Sequence, residues 1–583
     1  MFSEFTEQWL DFWLHRPFAR LVCHSVQRVF SGGESSEPGE LDLGIGAILA
    51  VLAAPGAFVS IIVSDRYGSL LRFLRGEVVR FNPYTASVSD EYFFIVLAVV
   101  VPAAVAVWKW DRLLPDRRDF LNLAPLPIAG RVSFSANLSA ILFLAFLLSI
   151  DVNAVSCVLF PVFVTAQVTF GVFLEFFATH AIAVLLAGAF GFLSVLAIMA
   201  IMMSLLPYRA FQKSSFYVRC GLLFYLVALL ATGFSVPQKF PALAGAYRAW
   251  IRVPPPAWFL GFCESIRGLH SPVLASFNGA AIWSLSLALL LSVAAFSLSY
   301  RRCYLRSAEM VESRPAGGSP LSFAFRWLDG ILLKDSFDRA CYRFSLRTLF
   351  RSQEHTFVFG AFATLGVMLA SQKVLQAQAM HTPSAGVIPT AEILSVPLIF
   401  GFFLVLGIYA AFAIPAALRA NWIFRLNVDP ARHKARSLAR KIAITFLVPL
   451  LFVPCLAVYS HFWGWQVGIL HSGLISAWCI LLLEGLLVRF RKIPFTCSMA
   501  RFEDHAIVTV LLFLLGFFAF TSVTATLENW AFADPIFFVG FLPLVAGLSF
   551  LFYRQRRGLI ESDRRLIFEE KSTPVVESMN LVR

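Results

Sequence analysis

The sequence predicts an all-α, polytopic membrane protein of about twelve transmembrane helices (about 11–13), built as two six-helix halves. Three observations carry that reading. Of 583 residues, 58% are hydrophobic and only 14% charged, where a soluble domain carries about 25% charged residues. The apolar residues come in long runs that are hydrophobic all round, without the polar stripe of a surface helix, and about 20 residues at 1.5 Å rise cover the hydrocarbon core. Lysine and arginine crowd into alternate loops, as the positive-inside rule requires of a multi-pass chain.

In chain order, residues 5–30 form a basic amphipathic segment that lacks the continuous apolar core of a signal peptide. Spans follow at 44–63 and 92–110. Residues 134–176 hold either two short spans or one span and an apolar segment that turns back. Parity selects one crossing, because DRLLPDRRD, PYRAFQKSSFYVR and RRCYLR must then share a side. Spans at 180–206, 219–236 and 278–300 complete the first half. Arginines in the loop between the first two spans sit on a segment with apolar residues at helical spacing, Leu70, Leu71, Leu74, Val78 and Phe81, suited to the interface.

The second half repeats the plan, with an amphipathic segment at 321–352 and spans at 356–372, 392–417, 442–459, 465–488, 506–526 and 535–553. The expected domains are therefore 1–310, 311–553 and a basic tail, 554–583. Basic loops and both termini are expected in the cytoplasm, with the chain in the plasma (inner) membrane.

The net charge of +13 is spread over loops between spans and makes no basic domain, so no nucleic-acid partner is expected. Nine cysteines occur without a CxxC pair, which excludes a zinc ribbon or a disulfide framework and leaves them as small apolar packing residues. None of the nine lysines follows a glycine, so the phosphate-cradling G-x-x-x-x-G-K-[ST] loop is absent. H-E-x-x-H and G-x-S-x-G are absent too, and the expectation is no enzyme, no metal and no cofactor.

Ionisable groups at membrane depth are costly and point to function. Asp151, Glu175 and His180 cluster near the ambiguous region, and Glu484 lies inside LLLEGLLVRF. For the first three, interfacial exposure is favoured over a substrate or proton path, and for Glu484 a pairing with Arg489. No span shows an unambiguous mid-helix acid, which argues against ion-coupled transport.

Two loops are unusual. WKWDRLLPDRRDFLNLAPLPIAGR, residues 108–131, packs alternating charges against an apolar stretch stopped by Pro125 and Pro127. The loop 237–277 carries Pro254, Pro255 and Pro256 before Trp258 and Phe259, a stiff apolar segment too short to span and suited to dipping into the membrane or to an aromatic belt.

An acidic and arginine pair followed by leucines and a proline, between the second and third spans and after a basic amphipathic helix, resembles the membrane subunits of type-two ATP-binding-cassette exporters. Bacterial permease-like membrane proteins with PDRRD and APLP at this position are similar as well. The family's usual Gly-Thr step is replaced here by Asp119 and Phe120. The resemblance implies a coupling helix that touches a separate cytoplasmic ATP-binding subunit, with Asp116, Arg117, Arg118, Leu121, Leu123 and Pro127 as its docking surface. In the second half, loop 418–441 takes that part, with Trp422, Arg425, Arg432 and Arg436. It also implies re-entrant helices between the fifth and sixth spans, where the three prolines fall.

The leading expectation is thus the permease of an ATP-driven exporter, both halves fused in one chain and its partners a lipid bilayer and a separate ATPase. A twelve-helix secondary transporter is the alternative: Asp111 and Arg112 echo its loop signature, though both glycines of that signature are missing. A non-transporting membrane scaffold is the third.

Overall fold

The computed structural model describes residues 17–30, 49–60 in part, 83–113, 128–165, 170–233, 254–268 and 277–309 of the first half. In the second it describes 336–380, 389–416, 421–427, 435–488, most of 490–496, 513–533 and parts of 543–554, with a few isolated positions besides. Regular structure in these residues is helical throughout. Nine described stretches are long and apolar enough to cross a membrane. The chain is an all-α, multi-pass membrane protein. The spans expected at 44–63, 506–526 and 535–553 fall only partly on described residues. Two compact units divide the chain, within Met1–Arg314 and within Pro315–Thr573.

Unit 1 begins with α1 (Pro17–Phe30), whose Leu21, Ser25 and Val29 recur every fourth residue and face inward, with Phe30 beside them. Helices α2 (Pro83–Trp108), α3 (Gly130–Asn153), α4 (Ser156–Thr165) and α5 (Phe170–Leu205) follow. After them come α6 (Tyr208–Thr232), the short α7 (Pro255–Ile266) and α8 (Asn278–Glu309). A ten-residue helix rises only about 15 Å, so α4 cannot span by itself. The fourth span, expected from residue 180, starts a full ten residues earlier at Phe170. Its first turns, FGVFLEF, fall at the end of the ambiguous apolar stretch 134–176, where Glu175 interrupts the run.

Helix α5 is the axis of this unit and packs on α2, α3, α4, α7 and α8. Two glycines explain how closely it does so. A Cβ on Gly188 would collide with Ser149 of α3, and one on Gly191 with the backbone of Val99 of α2. Small residues at such seams bring backbones together where lipid supplies no hydrophobic drive between helices. Helix α8 turns Ala281, Ala288, Ser292 and Phe296 inward and leaves Trp283, Leu290 and Leu298 exposed, the pattern of a lipid-facing wall. Ser292 ties it to α5 by donating to the Leu193 carbonyl at 2.8 Å.

Unit 2 comprises α9 (Ser336–Arg351), α10 (Gln353–Met380), α11 (Ala391–Phe412), α12 (Asn421–Asn427), α13 (Ala435–Trp463), α14 (Trp465–Leu486) and α15 (Thr524–Ala533). A π-helical turn, Ala519–Val523, leads into α15. Helix α11 is central, packing on α10, α13, α14 and α15. Its buried Leu398, Phe402, Val405 and Phe412 join Leu447 and Leu451 of α13 and Ile475 and Cys479 of α14 in one core.

Candidate functional site

Each unit carries two polar layers in an otherwise apolar body, one at the end where the basic loops lie and one at the opposite end.

At the basic-loop end of unit 1, Arg28 of α1 reaches the loop that follows α2. Its Nε donates to the Arg112 carbonyl at 3.1 Å, and its Nη2 to Asn137 Oδ1 of α3 at 3.4 Å. Arg219 of α6 closes the other side, donating to Asp111 at 2.7 Å. The amphipathic helix, the second-to-third loop and the fifth span are thereby fastened together. The fastening is polar, so it needs the interface and not hydrocarbon.

Unit 2 builds the same end with backbone and rings. Ala416 N donates to the Phe495 carbonyl at 2.8 Å, and Phe495 N to the Phe412 carbonyl at 3.3 Å. Phe495 stands at φ 65, a conformation that bulky residues rarely adopt. Its ring is wedged edge-on against Phe412 and His355, at 5.3 Å and 4.9 Å. Next to this wedge sits α12. Asn421 donates to the Thr496 carbonyl at 2.7 Å, and Phe424 rests on Phe344 of α9 at 5.2 Å. Its other face is open: Trp422 is 61% exposed and Leu426 75%, with Ile423 between them also exposed.

At the opposite end of unit 1, Glu91 of α2 and His180 of α5 are sealed from solvent, 1% and 0% exposed. Arg267, one residue past α7, grips Glu91 with both terminal nitrogens, at 2.8 Å and 2.6 Å. Its Nε donates to Thr179 at 2.8 Å, and its guanidinium lies 3.8 Å over the Phe176 ring. His180 Nδ1 stands 3.2 Å from Glu91 Oε1, and Cys263 Sγ donates to the same oxygen at 3.1 Å. Bidentate pairing with bonds to every remaining lone pair is what makes a buried charge tolerable. Helix α7 makes this possible: Pro255 and Pro256 start it, Phe259 is buried near Phe190 of α5, and it packs between α2, α5 and α8.

Unit 2 has a plainer counterpart. His471 of α14 lies 2.6 Å from Glu528 of α15, both buried, with the Tyr459 ring 4.2 Å from the imidazole. Tyr459 donates its hydroxyl to the Ile393 carbonyl at 2.6 Å.

Of the ionisable residues expected at membrane depth, only His180 joins a buried cluster, so its expected interfacial exposure is corrected. Glu175 is exposed, and Asp151 is half-buried on the last turns of α3. Glu484 pairs with Arg440 of α13 at 3.0 Å, and Arg489, its expected partner, lies outside the described residues. A buried acid, Glu91, does lie near one end of a span. Glu91 escaped notice because the span was begun at residue 92, whereas α2 starts at Pro83. Arg267 sits 176 residues away from Glu91, beyond the reach of any local pattern. Cys263 bonds a carboxylate and is more than a packing residue.

The segment Pro254, Pro255, Pro256, Trp258, Phe259 forms the start of α7, with Pro256 and Phe259 buried. Asp116, Arg117, Arg118, Leu121, Leu123, Pro127 and Arg432 lie outside the described residues, as do the side chains of Arg425 and Arg436. Comparison with protein-family models, with curated proteins and with solved structures finds no match for this chain.

Proposed function

We propose that the chain is the membrane-spanning permease of an ATP-driven exporter, with ATP hydrolysed by a separate cytoplasmic subunit that docks at the basic-loop end. The observation that carries this reading is α12. It is a helix of the second-to-third loop, held from beneath by Asn421 and Phe424, presenting Trp422, Ile423 and Leu426 outward. Exposed aromatic and aliphatic anchors on a rigid base are what a partner protein buries. Arg28 and Arg219 brace the corresponding loop of unit 1, which supports the same use of that loop as a lever. On this reading the basic end is cytoplasmic and the membrane is the plasma (inner) one.

The test is purification of the chain from native membranes with an assay for co-purifying ATPase. Changing Trp422→Glu together with Leu426→Glu is expected to cut the bound ATPase about tenfold, some 1.4 kcal/mol, without loss of insertion. Undiminished binding would remove α12 from the partner surface and favour burial of its apolar face in the lipid interface.

A second reading, a secondary transporter, draws support from the buried Glu91–Arg267–His180 cluster, because intramembrane ionisable groups mark ion and proton paths. Substrate flux in reconstituted vesicles driven by a proton gradient, without any ATPase present, separates the two.

A further inference from the structure

The buried cluster of unit 1 contains one acid more than its fixed charges neutralise. Arg267 and Glu91 form a bidentate pair, one positive charge against one negative. Glu264, on the last turn of α7, is 5% exposed, and its Oε2 is buried with no hydrogen-bond partner. His180 Nε2 is likewise buried without a partner. Thus a carboxylate oxygen and an imidazole nitrogen stand idle in a cluster that is otherwise bonded throughout. An ionised carboxylate in that position would be an unpaired buried charge beside another anion, which burial penalises. A single added proton removes the excess.

We propose that this cluster is a binding site for one exchangeable proton, with the Glu264 carboxyl as the group that takes it up. The charged and titratable groups facing it come from each neighbouring element. They are Glu91 from α2, with buried Asp90 and Tyr92 next to it in sequence, His180 from α5, and Cys263 and Arg267 from α7 and its end. From α8 the buried residues are uncharged, Ala281, Ala288 and Ser292. Burial first, and then the negative charge of Glu91, push the Glu264 carboxyl up to about 7, with Arg267 opposing them.

The direction of the pH effect follows. A carboxyl raised by folding binds more protons in the folded state, so its contribution to stability is full below the ordinary carboxylate range. That contribution falls as pH rises towards about 7. The measurement is pH-difference infrared spectroscopy on the purified full chain in lipid nanodiscs, comparing the wild type with Glu264→Gln. Expected is a carboxylic-acid carbonyl band in the wild type, half lost near pH 7, and loss of that band in the variant. Also expected is a wild-type melting temperature that drops on passing from acid to neutral pH relative to Glu264→Gln, whose amide copies the neutral acid.

A titrating band of equal size in both proteins overturns the proposal, as does its absence from the acidic wild type. Failure of Glu264→Gln to assemble would overturn it as well, because the neutral form is the one the closed cluster requires. None of these outcomes depends on whether an ATPase subunit binds.

Discussion

Unit 1 surrounds Glu91 with an arginine, a histidine and a thiol, whereas unit 2 gives Glu528 a histidine and leaves its Oε2 without a hydrogen-bond partner. The first arrangement sets Glu91 against a guanidinium, which keeps its charge at any accessible pH. The second sets Glu528 against an imidazole alone. A histidine on the fourth span is common to both, so the contrast lies in what the loop before the sixth span adds. In unit 1 that loop contains α7 and Arg267.

Removing one partner in each unit tests the contrast directly. Arg267→Leu strands an ionised Glu91 in a sealed site and is expected to cost about 3–5 kcal/mol of stability, the range for a broken buried pair. Thermal unfolding of the purified chain reads it, and adding Glu91→Gln should restore most of the loss. His471→Leu is expected to cost less, about 1–3 kcal/mol, since Glu528 can take up a proton and leaves only an unsatisfied polar group. Equal losses from the two variants would erase the distinction. At the basic-loop end the effect shrinks further. Asp111 is 51% exposed, and Asp111→Asn should cost about 0.2–1 kcal/mol, as half-solvated pairs do. A loss as large as that of Arg267→Leu would show that the Arg219 clamp carries the unit.

Composition and apolar run length were enough to reveal the helical class, because a lipid solvent forces every backbone group to be satisfied within its own helix. The amphipathic segments were legible from their spacing, as the Leu21–Ser25–Val29 face of α1 illustrates. The buried cluster was not legible. Glu91 lies in SDEYFF and Glu264 in FCESIR, stretches that read as loop or interface, and the pairing of Glu91 with Arg267 exists only through tertiary packing of α7. Charge near an apolar run is ambiguous in sequence between a loop and a paired interior group, and only the partner decides. Trp422 is conspicuous in sequence as an aromatic between basic residues, while the fastening of its helix through Asn421 to the Thr496 carbonyl gives no local signal.

The glycine seam on α5 has a mechanical consequence. With Gly188 against Ser149 and Gly191 against the Val99 backbone, α2, α3 and α5 have no slack in which to rotate or slide past one another. They pack as one close seam. Outside that seam, α7 is tied to α2 and α5 through side chains, Arg267 and Cys263, and not through a glycine contact.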